Sequence, residues 1–156
     1  MSRYAGACFG AHAIVLNHFR LEIAMRLVVV ATLIIAAAGV RAETPADFQA
    51  RFSAQAKQEN PAFTGFSADQ GQRWYARTQG REWSCASCHA RNPAATGQHA
   101  ATGKLLAPLA PAANPERFTR SDKVEKWFKR NCNDVLGRPC TAQEKGDVLA
   151  YLLTVR

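Results

Sequence analysis

Methionine is the first shortage. The chain has two, Met1 and Met25, so nothing from Arg26 onward can offer a thioether to a ligand or a metal. Long apolar runs are scarce as well: the one sustained stretch, Leu27 to Val40, is short of the roughly 20 residues a membrane span needs. No stripe of interleaved aromatic and basic side chains is present, which argues against nucleic acid as a partner. Nor is there a readable acid–base pair, or a nucleophile with its base. A defined catalytic reaction is therefore a weaker expectation than binding or electron transfer.

What is present begins with an export pattern. Met25-Arg26, the apolar stretch Leu27 to Val40, and then Val40-Arg41-Ala42 before Glu43 read as the basic, hydrophobic and cleavage regions of a secretory signal peptide. Three segments follow from this. Residues 1–24, with Cys8, His12 and His18, are expected to be an upstream extension from a mis-assigned start, without a role. Residues 25–42 are the signal peptide, cleaved near Ala42, or an N-terminal anchor if cleavage fails. Residues 43–156 form one domain outside the cytoplasm, in the periplasm.

That domain is organised around Cys85-Ala86-Ser87-Cys88-His89. Two thiols three apart can add to the two vinyl groups of a single haem, and the histidine that follows can turn its ring onto the iron, which is the c-type attachment pattern. Two alternatives are weaker. A thioredoxin-type thiol pair expects a βαβ neighbourhood, and a zinc site needs further Cys or His at short spacing, of which His99 alone supplies little. One covalent haem c is the expected cofactor. Cys132 and Cys140 remain as an isolated pair, which in an oxidising compartment is most simply a disulfide. The formal charge is +8 and stays positive after Glu43, which suits either steering toward an acidic redox partner or plain solubility.

The surrounding pattern is helical. Ala46 to Gln58 carries Phe48 and Phe52 on a thin apolar edge. Ser67 and Gln70 read as a capping box opening a helix over Ala68 to Arg77, with Gly71 inside it, where a close helix crossing would offset its poor propensity. From Ala90 to Ser121, prolines and glycines forbid a long helix. Leu105, Leu106, Leu109 and Phe118 are expected to lie on the haem edge. A helix capped by Ser121 puts Val124, Trp127, Phe128, Asn131 and Val135 on one face, ending at Gly137 and Pro139. Thr141 and Glu144 form another capping box, opening a last helix to about Thr154 with Val148, Leu149, Leu152 and Val155 inward. The fold class is all-α, wrapped around the haem.

With these elements in place, Ser67 to Val155 resembles the class I cytochromes c, whose terminal helices cross at a glycine and an aromatic, here Gly71 and Tyr151. That class closes its haem with methionine, which this chain lacks after Met25. The sixth ligand must be something else. His99 would give a bis-histidine electron carrier, unless it is only a loop residue. Asn131 is an amide on an apolar face, where it either binds the iron or is satisfied by core hydrogen bonds.

Lys126 to Lys145, read Lys-Trp-Phe-Lys-Arg-Asn-Cys-Asn-Asp-Val-Leu-Gly-Arg-Pro-Cys-Thr-Ala-Gln-Glu-Lys, and the loop Thr102 to Pro111 leading to Asn114-Pro115-Glu116-Arg117-Phe118-Thr119 resemble the sphaeroides haem protein family. The resemblance implies a small exported monohaem cytochrome c that is high-spin when reduced and binds oxygen or nitric oxide. It also implies His89 and Asn131 as iron ligands, Cys85 and Cys88 as haem attachments, and a Cys132–Cys140 disulfide. A dihaem cytochrome c, often with a membrane cytochrome b, is implied as redox partner. Leu105, Leu109, Trp127 and Phe128 are the expected haem pocket. Asn133 falls on the opposite side of its helix from Asn131. The alternative function is an ordinary electron carrier whose sixth ligand never leaves.

Overall fold

The computed structural model describes residues 41–156. The expected upstream extension and all but the last two residues of the signal peptide lie outside the described residues. Ala42–Arg156 forms one compact unit.

The first helix, α1 (Pro45–Glu59), is set by its start. The Thr44 hydroxyl accepts from the Asp47 amide while the Asp47 carboxylate accepts from the Thr44 amide, and Pro45 takes the first position, where a missing N–H does no harm. Phe48, Phe52 and Ala56, each four apart, are buried. The edge that looked thin in sequence is the face that enters the core.

Helix α2 (Ala68–Ala76) begins at Ser67, whose hydroxyl accepts from the Gln70 amide at 3.2 Å. The other half of the expected capping box is not made. Gln70 instead accepts from Arg73 at 2.9 Å, and the Ser67 amide donates to the Asp147 carboxylate at 2.7 Å. A charged acceptor makes the stronger bond, so a long-range contact displaces the local one. The short helix α3 (Cys85–His89) holds the whole CASCH motif.

Where the sequence predicts only an irregular stretch, the structure adds a small antiparallel ladder. Strands β1 (Gly97–Gln98) and β2 (Leu105–Leu106) pair Gly97 with Leu106 and Gln98 with Leu105. The rest of the stretch is held by carbonyl acceptors. Pro93 is fully buried, and its oxygen takes the amides of Leu109 and Ala110 at 2.8 and 2.9 Å. Arg117 donates to the carbonyls of Pro108 at 2.8 Å and Ala107 at 2.7 Å. These bonds satisfy backbone groups that a helix would otherwise have paired.

Helix α4 (Ser121–Leu136) starts one residue earlier than its composition suggested. Arg120, not Ser121, is the extended cap residue, and no side chain caps it; its guanidinium instead holds Asp122 in the first turn. The helix ends at Gly137 in the left-handed conformation (φ +73°), donating to Asn133. Helix α5 (Ala142–Thr154) carries both halves of the Thr141–Glu144 capping box.

The core gathers Phe48, Phe52, Tyr75, Phe118, Val124, Val148, Leu149 and Leu152; Val155 is only half-buried. Helix α5 packs across both α2 and α1. A Cβ on Gly71 would overlap the Asp147 carbonyl and stand 2.9 Å from the Val148 nitrogen, so only glycine lets the two backbones approach this closely. The crossing partner of Gly71 is thus the α5 backbone. Tyr151 sits one turn further along and packs on Tyr75, ring centroids 5.5 Å apart. Among the described residues no helix is long and apolar enough to cross a membrane.

Candidate functional site

One helical turn brings Cys85, Cys88 and His89 together, as their spacing requires. Neither cysteine is in a disulfide. Cys85 packs against the core, and burial pushes its thiol up to about 11, so it stays protonated at neutral pH. Cys88 Sγ accepts from the Ala100 amide at 3.3 Å.

Among the described residues, the Nδ1 of His89 is buried without a hydrogen-bond partner. Burial, then the nearby charges of Arg117 and His99, lower its pKa to about 4, so the ring is neutral at physiological pH. Neutral imidazole is the metal-binding form.

The backbone on either side of this turn is tightly confined. A Cβ on Gly97 would overlap the Cys88 carbonyl and lie 2.9 Å from the His89 Cα, so β1 rests directly on the end of α3. On another side, the buried Tyr75 hydroxyl lies 2.9 Å from the carbonyl of His89 and 2.7 Å from that of Ala90. Ala90 has φ +60°, a conformation that L residues seldom adopt.

The expected ligand candidates sit in different settings. His99 closes the turn between β1 and β2: its amide donates to the Lys104 carbonyl and its own carbonyl accepts from Gly103, both at 2.8 Å. Its ring Nδ1 lies 3.3 Å from the amides of both Ala101 and Thr102, which donate to it. A cleft of about 650 Å³ beside this turn is lined by Cys88, Thr96, Gln98, His99 and Leu105.

Asn131 is half-buried on α4, and its amide makes no hydrogen bond among the described residues. The next residue, Cys132, is buried and bonded to Cys140 with their Cα atoms 5.5 Å apart. That bond ties the last turns of α4 to the start of α5. Asn133 is exposed.

The four expected pocket residues divide. Leu109 and Phe128 pack against the core, Phe128 standing edge-on to Phe52 at 5.7 Å. Leu105 and Trp127 are exposed, at 70% and 44%. Lys126 and Arg130 lie over the Trp127 ring at 5.9 and 5.8 Å. No hydrogen bond or ring contact joins Asn131 on α4 to the CASCH turn on α3 among the described residues.

These residues fit a covalent haem c: paired free thiols, a neutral histidine with an orphaned buried ring nitrogen, and two large exposed apolar side chains. Comparison with known proteins decides the family. Over 99 residues the chain is 46% identical to cytochrome c'' of Methylophilus methylotrophus, covering 61% of this chain and 69% of that protein. The chain belongs to the cytochrome c''/SHP family.

Several other likenesses agree. Residues 61–152 match a family described as a domain of unknown function (DUF1924). The cytochrome c-type protein SHP of Cereibacter sphaeroides is 56% identical over 69 residues, 44% of this chain and 53% of that protein, so the match spans about half the length of that relative. The crystal structure of oxidised cytochrome c'' superposes with TM-score 0.66 at 40% identity, covering 72% of this chain and 94% of that one. The structure of oxidised SHP, described as an oxygen-binding cytochrome c, gives 0.64 at 40% identity over 72% and 98%. All-α architecture of the class I cytochrome c kind is thereby established. The family relation is to redox and gas-binding cytochromes and not to catalysts of a defined reaction.

Sequence reasoning missed two contributors to this cytochrome's site. Tyr75 and Gly97 act on backbone atoms distant in sequence, and only the spacing of Tyr75 one turn after Gly71 hinted at a shared face.

Proposed function

We propose that this is an exported monohaem cytochrome c in which reduction releases an asparagine ligand and opens the iron to oxygen, nitric oxide or other small molecules. When bound, the haem would supply a one-electron iron couple and an iron that small molecules can bind. Cys85 and Cys88 would hold it by thioether bonds, and His89 would be its permanent nitrogen ligand.

Asn131 carries the reading. Its amide is unpartnered on an otherwise apolar helix face, in a chain without methionine after Met25. An amide oxygen is a hard, neutral donor, which binds ferric better than ferrous iron. The Cys132–Cys140 bond anchors the neighbouring residue, so that Asn131 moves on a tethered turn and can return. Leu105, Leu109, Trp127 and Phe128 would line an apolar space suited to small uncharged gases. The relatives support this: SHP is described as oxygen-binding, and a solution structure of cytochrome c'' concerns haem-ligand detachment.

Electrons would come from another cytochrome, a dihaem cytochrome c or a membrane cytochrome b, in the periplasm. The signal peptide would be removed near Ala42. The test of the ligand is substitution. Asn131→Ala should convert the ferric site to a water-bound or open one and raise the reduction potential, because the lost bond favoured the oxidised state. His99→Ala should leave ferric and ferrous spectra close to wild type. If only the His99 variant lost its six-coordinate ferric spectrum, the assignment of Asn131 would be wrong.

A further inference from the structure

A histidine that binds a metal through one ring nitrogen nearly always donates the other to a carbonyl, carboxylate or water, and that bond fixes the ring's direction. Among the described residues His89 has no such bond: its Nδ1 is buried and unpartnered. Something else must fix the imidazole. Two contacts hold the backbone of the same turn. Gly97 lies against the Cys88 carbonyl and the His89 Cα on one side, and Tyr75 reaches the carbonyls of His89 and Ala90 on another.

We propose that Tyr75 is the positioning residue for the proximal histidine, using its hydroxyl to pin the His89 and Ala90 carbonyls and so set the angle at which the His89 ring meets the haem. Tyr75 suits the task, being 1% exposed and itself fixed by α2, which is locked to α5 at Gly71, and by the ring of Tyr151 at 5.5 Å. Its single proton serves two acceptors, and the chain turns sharply between them. Ala90 at φ +60° and ψ 162° is in a region that is strained for any residue but glycine. Strain of that kind persists only where surrounding contacts over-determine it. The hydroxyl of Tyr75 is such a contact, on the residue after the ligand.

The inference rests on His89 being the axial ligand of the proposed function, but not on whether Asn131 leaves. In the oxidised holoprotein, the order and spread of the haem-methyl proton resonances report the plane of the axial imidazole. Tyr75→Phe keeps the ring and its packing while removing only the hydroxyl, and should reorder those resonances and shift the iron–histidine stretching band of the reduced protein. Tyr151→Phe, which removes the hydroxyl from the other ring of the same pair, should leave both unchanged. If Tyr75→Phe fails to take up haem, the double variant Tyr75→Phe/Ala90→Gly decides: glycine accepts the turn without strain, so the fold no longer needs the hydroxyl to hold Ala90, and the same resonances should still be reordered because the hydroxyl is gone. Wild-type haem-methyl shifts in the first haem-loaded variant of these two, or an equal change in Tyr151→Phe, would overturn the proposal. A reduced wild-type protein that stayed six-coordinate would instead refute ligand release, leaving the haem-methyl result to judge Tyr75 by itself.

Discussion

An amide or carboxyl group that leaves water without a partner raises the free energy of the folded state, so buried polar side chains are the residues to question first. The sequence singles out two such residues, Asn131 as an amide on an apolar helix face and His89 as the last residue of the Cys85-Ala86-Ser87-Cys88-His89 pattern. Asp147 carries no such signal. It is 7% exposed, accepts the Ser67 amide at 2.7 Å, and has a pKa raised by burial, against which the Ser67 bond works, with nearby Glu144 adding to the rise. A carboxyl whose folded pKa lies above its unfolded value of about 3.9 binds its proton more tightly when folded. Its contribution is most favourable below the unfolded pKa and is lost as pH rises through the folded one. Asp147→Asn keeps an oxygen for the Ser67 amide, so the variant should be more stable than wild type at neutral pH, with the difference shrinking below pH of about 4. Denaturant titrations at both pH values check this; an equally large difference at acid pH would mean that ionisation is not its source.

Among the elements, the helices were readable and the long connection was not. Periodic apolar residues and reciprocal caps such as Thr141 with Glu144 act within a few positions, so local sequence suffices for them. Ser67 and Ser121 show where that logic stops: Asp147 takes the amide that Gln70 would have held, and Arg120 becomes the cap while its guanidinium holds Asp122. The hairpin of β1 and β2 rests on two-residue strands, too short for any period. At the crossing of α2 and α5, Gly71 faces backbone atoms that cannot swing aside. Gly71→Ala should therefore destabilise the protein near the upper end of the roughly 1–3 kcal/mol typical of overpacking, despite the better helix propensity of alanine. Thermal unfolding of the holoprotein measures it; a midpoint at or above wild type would contradict the close crossing.

For the whole molecule, the CASCH turn on α3 and the Asn131 turn on α4 have different supports. The CASCH turn is held by Gly97 and Tyr75, whereas Asn131 depends on a helix joined to its neighbour by the Cys132–Cys140 bond. The proposed ligand exchange would use the CASCH turn as its fixed side and the tethered α4 turn as its moving side. Export belongs to the same scale, because the disulfide needs an oxidising compartment. Mass spectrometry of the purified holoprotein should find the N-terminus at Glu43 and one covalent haem; retention of residues 1–24 would contradict both the start and the cleavage. The central claim is tested most directly by the visible spectrum of the holoprotein, oxidised, then reduced with dithionite, then exposed to carbon monoxide. Ligand release predicts a high-spin reduced spectrum that carbon monoxide changes at once. A reduced protein that remained low-spin and did not respond to carbon monoxide would contradict it.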